Sequence, residues 1–392
     1  MILRKVIYGG QFFSFLAIVS IIFFQYELLM LDRNVALTYS LIIFSLGQIL
    51  NVLTMLFVRR LDTLVKNRNR IVQISLCVRT IAVGCMFFTQ NSIVFIVLFL
   101  IYQMSSSANV LFEGMVAQWS FEKVISFSRL RIWGSFGFAT SGFIATLIFD
   151  LTGSINNILL LVFIVNIFNT IIAFKVPVNV EKSTNNGGSQ VRIPIKIRYI
   201  LFFGGFVTAL PNSFAIVLNN HYRTIFQLSI EQAIFFSSIA VFLGSFIAEL
   251  TAFLSIDKLL NKFNPTNIIL LGIFLSFLRW MIAFIAPNHI TFTSSYILHG
   301  FSFVFVYLGG LAYIKKHIGN EFTSRIVLEF VIISNALGLI LIQVSNLILN
   351  FFNSVLLLGI NMVISFILVL VFFRYIYLND KKLNARNSSS PR

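Results

Sequence analysis

The chain has 392 residues, 58% of them hydrophobic and only 11% charged, with 46 phenylalanines, and a mean hydropathy of +0.92. A water-soluble domain of that length cannot bury so much apolar surface, so lipid is its main solvent. The 29 Lys+Arg against 13 Asp+Glu give a formal charge of +16, but the basic residues stand in short turns between apolar runs. That placement argues against a nucleic-acid partner and for topology signals that meet anionic lipid head groups.

Apolar runs of about 20 residues, the length that crosses a bilayer, recur twelve times. They lie near 7–30, 35–58, 71–89, 92–118, 130–149, 155–174, 199–220, 231–254, 266–286, 290–314, 326–349 and 353–378. Backbone groups in lipid need partners within their own segment, and these runs do not alternate as barrel strands would, so helices are predicted. The first run follows basic residues like a signal peptide, yet it is too long and no small-residue cleavage site follows it, so it reads as the first spanning helix. Cys77 and Cys85 share one apolar run without CxxC spacing and read as buried small hydrophobes, with no disulfide framework and no metal site.

The longest polar break, "KVPVNVEKSTNNGGSQVRIPIKIR", has the Pro, Gly and Ser/Thr/Asn content of a flexible linker. It divides the chain into a six-helix bundle over 1–174, a linker over 175–198, a second six-helix bundle over 199–378 and a tail over 379–392 that reads as disordered. The connections sort by charge. Arg59, Arg60, Lys66, Arg68 and Arg70 follow the second helix, Lys123 and Arg129 the fourth, Lys258 and Lys262 the eighth, and Lys315 and Lys316 the tenth. The alternate connections carry only Arg33 and Arg223. The positive-inside rule then predicts a multi-pass protein of the cytoplasmic membrane with both termini in the cytoplasm.

A charge at the bilayer centre costs at least roughly 2.5–3.5 kcal/mol on insertion scales, so each one marks a candidate site. The candidates are Glu27, Arg79, Glu113, Arg131, Glu249, Arg279, His299 and Glu329. Glu113, late in the fourth helix, and Arg131, early in the fifth, flank one turn and are placed to pair; the alternative is two residues snorkelling to water. Arg131, Ser135, Phe138 and Gly142 fall three or four apart on one helical face, a stripe that offers a charge, a hydroxyl and an aromatic plane. Gly134, Gly137, Ser141 and Ala145 form a small stripe on which a neighbouring helix can pack. Glu249 has three open roles: proton carrier, solute ligand or structural partner of an arginine. His299 is either a structural histidine or a proton relay next to Arg279. Glu329 is expected to pair with Arg325, four residues earlier. Arg79 and Glu27 read only as neutralising charge in the N-terminal half.

Two six-helix halves about a linker resemble the major facilitator fold, an all-α membrane protein of twelve transmembrane helices that binds its solute at the midplane between the bundles. "SFSRLRIWGSFGFA" resembles the fifth-helix signature of the oligosaccharide:proton symporters, the lactose and sucrose permease group of that superfamily. The resemblance implies that Arg131 binds sugar together with Glu113, eighteen residues earlier, and that Phe138, seven residues later, stacks on the sugar ring. It also implies that Arg279 and His299 serve proton coupling and sugar affinity. The chain departs from the pattern at Ser302, where the lactose permease has its proton-carrying glutamate, and at Tyr296 and Asn335, where it has lysines. The seventh helix, "FVTALPNSFAIVLNNHY", lacks the aspartates that pair with those lysines. Glu249 is therefore the expected proton carrier. The function implied is secondary active transport of a sugar or oligosaccharide with protons; the alternative is a nucleoside:proton symporter or an efflux transporter of amphiphiles. No cofactor is implied. An enzyme is not expected, because HExxH, GxSxG, Walker and Cys/His ligand motifs are missing. A receptor would need a soluble output domain, which neither the linker nor the tail supplies.

Overall fold

The computed structural model describes residues 2–24, 26–64, 68–107, 109–121, 127–175, 194–215, 217–318 and 323–378, and every regular element among them is helical. The linker residues 176–193 and the tail 379–392 lie outside the described residues. Contacts divide the chain into two compact units, Met1–Arg198 with Thr323–Leu339, and Tyr199–Phe322 with Ile340–Arg392. The early elements are α1 (Ile2–Val19), α2 (Ile21–Phe24), α3 (Tyr26–Asp32), α4 (Leu37–Leu64), α5 (Arg68–Phe88), α6 (Ser92–Ser106), α7 (Asn109–Phe121), α8 (Phe127–Thr152) and α9 (Asn156–Lys175). They are followed by α10 (Ile195–Ala215), α11 (Leu218–Thr224), α12 (Ile230–Phe242), a π-helical turn at Leu243–Glu249, α13 (Leu250–Lys262), α14 (Pro265–Ile285) and α15 (His289–Ser294). The last are α16 (Tyr296–Ile318), α17 (Thr323–Phe351) and α18 (Ser354–Phe372), the latter running into a π-helical turn at Phe373–Tyr377.

Ten helices among the described residues are long and apolar enough to cross a membrane, and the bent pair Ile195–Phe214 and Leu218–Thr224 makes eleven. The shorter apolar helix Ile7–Val19 occupies the first predicted span. Many large apolar side chains on these helices are exposed, among them Ile42, Ile74, Ile81 and Leu147, while Gln103, Ser141, Asn166, Asn169 and Ser365 are fully buried. A chain dissolved in lipid has this distribution, because apolar groups gain nothing from burial and polar groups need the interior. Neither cysteine is in the core: Cys77 is half-buried and Cys85 exposed. That corrects the expectation of two buried thiols, and an outward-facing apolar thiol is comfortable in hydrocarbon.

Four of the predicted spans are interrupted, and they are the first, fourth, seventh and tenth. The first divides after Val19, the fourth between Ser106 and Asn109, the seventh after Ala215 with a 48° bend, and the tenth at Ser295. Serine hydroxyls that bond back to the preceding turn accompany each interruption. Ser20 donates to the Ala17 carbonyl at 2.5 Å, Ser107 to Met104 at 2.7 Å, Ser213 to Leu210 at 2.6 Å and Ser295 to Phe292 at 2.6 Å. Such bonds compete with the helical ladder and weaken it locally. In the seventh span Pro211 adds a missing donor. The tenth and eighth spans also reach further than the apolar runs suggested, because α13 continues to Lys262 and α16 to Ile318.

The two units share part of their internal packing. In the first, α5 packs on α6 and α9, and α4 packs on α6; in the second, α14 packs on α16 and α18, and the π turn packs on α16. Glycine permits the closest approaches. A Cβ on Gly137 would overlap the Ser14 carbonyl oxygen of α1, and one on Gly300 would overlap the Gly244 carbonyl oxygen of the π turn. Gly300→Ala is therefore expected to lower stability by about 1–3 kcal/mol. Gly310→Ala, whose Cβ would meet only Ile200 Cγ2 at 3.7 Å, is expected to be neutral. Thermal unfolding in detergent compares the two.

Candidate functional site

In the first unit, α7 and α8 carry the residues singled out at the fourth and fifth spans. Arg131 Nε lies 3.5 Å from Glu113 Oε1, with side chains 25% and 15% exposed. The guanidinium rests over the Phe13 ring at 5.3 Å from its centroid, and Phe12 stacks on Phe112, next to Glu113, at 3.6 Å. The structure thus brings Glu113 and Arg131 together beside a buried aromatic cluster supplied by α1 and α7. Ser135 is buried and Phe138 half-buried two turns along α8, on the same helical side as Arg131.

The small stripe has two functions where one was expected. Gly137 receives the backbone of α1, as helix packing requires. Gly134 faces α1 as well, with Phe13 Cβ 3.7 Å from where its Cβ would stand, and it also leaves room for Arg131, whose Nη1 would be 2.8 Å away. The guanidinium reaches forward one turn along its own helix, over the glycine.

In the second unit, Arg279 of α14 is 2% exposed. It lies between the rings of Trp280 at 4.2 Å and Tyr296 at 4.5 Å, and its Nε and Nη1 have no hydrogen-bond partner. His299, one turn after Tyr296 on α16, is within electrostatic reach of Arg279. Glu249 ends the π turn; Ser245 Oγ is 3.5 Å from its Oε1. A Cβ on Gly300 would stand 2.9 Å from the Glu249 amide nitrogen, so the backbone of Glu249 abuts the residue after His299. The element of His299, α16, thus packs on both the π turn that ends at Glu249 and the helix of Arg279, α14. Ser302, three residues after His299, is buried. Tyr296 has a clear electrostatic logic: a lysine there would set a second cation against Arg279, whereas the tyrosine offers its ring face.

Several partnerships escaped the sequence. Arg79, without a specific role there, is 2% exposed, donates from Nη2 to the Tyr102 hydroxyl at 3.1 Å and sits over that ring at 4.9 Å. An arginine of the third span over a tyrosine of the fourth therefore matches Arg279 over Tyr296, from the ninth and tenth. Arg33, read as one of two stray basic residues, is 3% exposed. It pairs with Asp32, donates to Asn156 Oδ1 at 2.6 Å and stacks on Phe95 at 5.3 Å. Glu329 reaches Arg59 of α4 at 2.6 Å, a tertiary partner the sequence did not name; the side chain of Arg325, its expected helical neighbour, lies outside the described residues, as does that of Glu27. His221, passed over in the sequence, shares a 2.7 Å hydrogen bond with Ser354 and packs its ring 4.6 Å from Phe292. Next to it Tyr222 shares one of 2.5 Å with Thr293. Among the described residues no three His, Cys, Asp or Glu side chains group as a metal site.

The fit between Gly134 and Arg131 is open to a direct test. Gly134→Ala is expected to cost at most about 1 kcal/mol in the native chain, because the flexible end of Arg131 can give way, and nothing when combined with Arg131→Ala. A double-mutant cycle on thermal unfolding reads the difference, and equal costs in both backgrounds would disprove the coupling.

Comparison with known proteins bears on the architecture. No curated protein matches the chain. Among solved structures, a single-substitution variant of the nucleoside transporter NupG aligns with a TM-score of 0.68 at 16% identity, covering 94% of this chain and 99% of that one. A bacterial homologue of the iron transporter ferroportin, in an outward-facing state with soaked iron, aligns at 0.67 and 14% identity, covering 95% and 98%. At these identities the likeness is one of fold. The family model described as MFS_1 like family matches residues 6–341, and with most of its length so matched the chain belongs to that family of the major facilitator superfamily.

Proposed function

We propose that this secondary transporter moves a sugar or oligosaccharide across the cytoplasmic membrane by alternating access, in symport with protons and without changing the solute covalently. The observation that carries the reading is the Glu113–Arg131 pair. At 3.5 Å it is longer than the roughly 2.7–2.9 Å of a closed charge-assisted hydrogen bond, and both groups keep some accessible surface. A partly accessible carboxylate–guanidinium pair is the chemistry that recognises vicinal hydroxyls. Phe138, about 10 Å further along α8 by helical rise, supplies an apolar plane for the CH face of a pyranose. Both termini are placed in the cytoplasm by the basic connections.

Glu249, His299 and Arg279 are assigned to proton coupling in the second unit. Glu249 is the carrier in this reading, on two grounds: Ser302 has no ionisable group, and π-helical turns in otherwise regular helices mark functional positions. A second reading is nucleoside transport or efflux of an amphiphile; Phe12, Phe13 and Phe112 are buried against one another and contribute no stacking face to either reading. The nucleoside transporter among the matched folds makes nucleosides the first competitors to test.

Proteoliposome uptake with a panel of labelled sugars and nucleosides decides between the readings. Sugars are expected to compete and nucleosides not to; the reverse result assigns the second reading. Arg131→Ala is expected to weaken solute binding by about ten- to a hundredfold, as loss of a hydrogen bond to a charged group implies. Glu249→Gln is expected to abolish proton-driven accumulation while leaving solute exchange between the two sides intact. Full accumulation by that variant would remove Glu249 from the coupling mechanism.

A further inference from the structure

The second unit has a groove of about 540 Å³ on its outer surface, unrelated to the candidate site. Its walls come from the end of α13, the first three turns of α14, the middle of α16 and the π turn after α18. Phe263, Leu271, Phe274, Phe305, Phe373 and Tyr377 line it. Leu271, Phe274, Phe263 and Phe373 are each more than 40% exposed, so these rings form an open trough. Phe373 and Tyr377 stack at 5.3 Å and 18° to make one side.

The groove opens at the membrane boundary, because the spans Glu231–Lys262 and Ser354–Tyr377 end there and the span Pro265–Ile285 begins there. From Pro265 to Phe274 it descends about 14 Å by helical rise, close to half of the roughly 30 Å hydrocarbon core. An apolar channel one leaflet deep matches an acyl chain. The rim is cationic. Lys262 Nζ lies 5.6 Å from the centroid of Phe263, a lining residue. Lys258, four residues earlier, falls on the same flank of α13, and Arg374 sits on the turn that carries Phe373 and Tyr377; all three are exposed. Asp257 is two positions from the lining residue Leu259 and so faces away from the groove.

We propose that this groove is a specific site for an anionic phospholipid, with one acyl chain in the aromatic trough and the phosphate held by Lys262, Lys258 and Arg374. Basic residues beside gaps between transmembrane helices bind acidic head groups in this manner. The site is separate from solute recognition and does not depend on what the protein carries.

The test uses the full-length protein in detergent, titrated with phosphatidylglycerol or with phosphatidylcholine of the same chain length. Native mass spectrometry counts retained lipid, and thermal unfolding reports its effect on the fold. Phosphatidylglycerol is expected to be retained more tightly than phosphatidylcholine and to raise the unfolding midpoint. Lys258→Ala with Lys262→Ala is expected to weaken its binding by about fivefold for each lysine removed. Leu271→Trp, which fills the trough and leaves the rim intact, is expected to lose the bound lipid as well. Equal retention of the two lipids overturns the proposal, as does an unchanged preference in the double-lysine variant. It is also overturned if Lys381→Ala with Lys382→Ala, in the tail, removes the preference as completely as the groove variants do.

Discussion

A guanidinium held against an aromatic face recurs at the buried and half-buried arginines of this protein. Arg33 lies over Phe95, Arg79 over Tyr102, Arg131 over Phe13, and Arg279 between Trp280 and Tyr296. The constraint behind the repetition is dielectric. In hydrocarbon an ion loses its hydration, and the remedies are a counter-ion, a hydrogen-bond partner or the negative face of a π system. Arginine suits this environment because its planar, weakly hydrated group stacks. With 13 acidic residues in the chain, rings do part of the work that carboxylates do elsewhere.

The aromatic solution shapes the rest of the fold. Apart from Trp280, next to Arg279 on α14, the rings that receive a guanidinium sit on another helix, and glycine appears where the backbones touch or where the guanidinium reaches along its own helix. Gly134 and Gly137 lie three residues apart on α8; both face α1, and Gly134 also accommodates Arg131. In the second unit Gly244 and Gly300 bring the π turn against α16. This contact sets the backbone of Glu249 beside His299 without any long polar side chain having to bridge the gap.

Helix interruption is the complementary device. The first, fourth, seventh and tenth spans are the ones that break, a period of three along the chain. Discontinuous helices are tolerated at membrane depth where the freed backbone groups find other partners, and they concentrate polar atoms near solute and ion sites. Glu113 and His299 both lie within the first turns after such a break, as do His221 and Tyr222.

How far the sequence carries can be judged residue by residue. The all-helical membrane class followed from apolar runs that no aqueous core can hold. The Glu113–Arg131 pairing was legible because two isolated charges either side of one short turn have few other partners in reach. The breaks were not legible, since serine in an apolar run is commonplace and back-bonding serines such as Ser141 and Ser345 also stand inside unbroken helices. Arg59 as a partner of Glu329, and Asn156 and Phe95 as partners of Arg33, were not legible because the sequence shows neighbours along one helix and not those across an interface.

By itself, then, the sequence determined the solvent, the class of fold and the positions of the costly charges, because all three depend on composition and on one-dimensional spacing. Only the tertiary structure decided which ring receives each arginine, that Gly134 leaves room for Arg131, and that Glu249 meets the helix of His299 through a π turn. It also decided that Lys262 stands at the mouth of an aromatic groove. Those outcomes depend on distances between helices, which packing sets and local propensity does not encode.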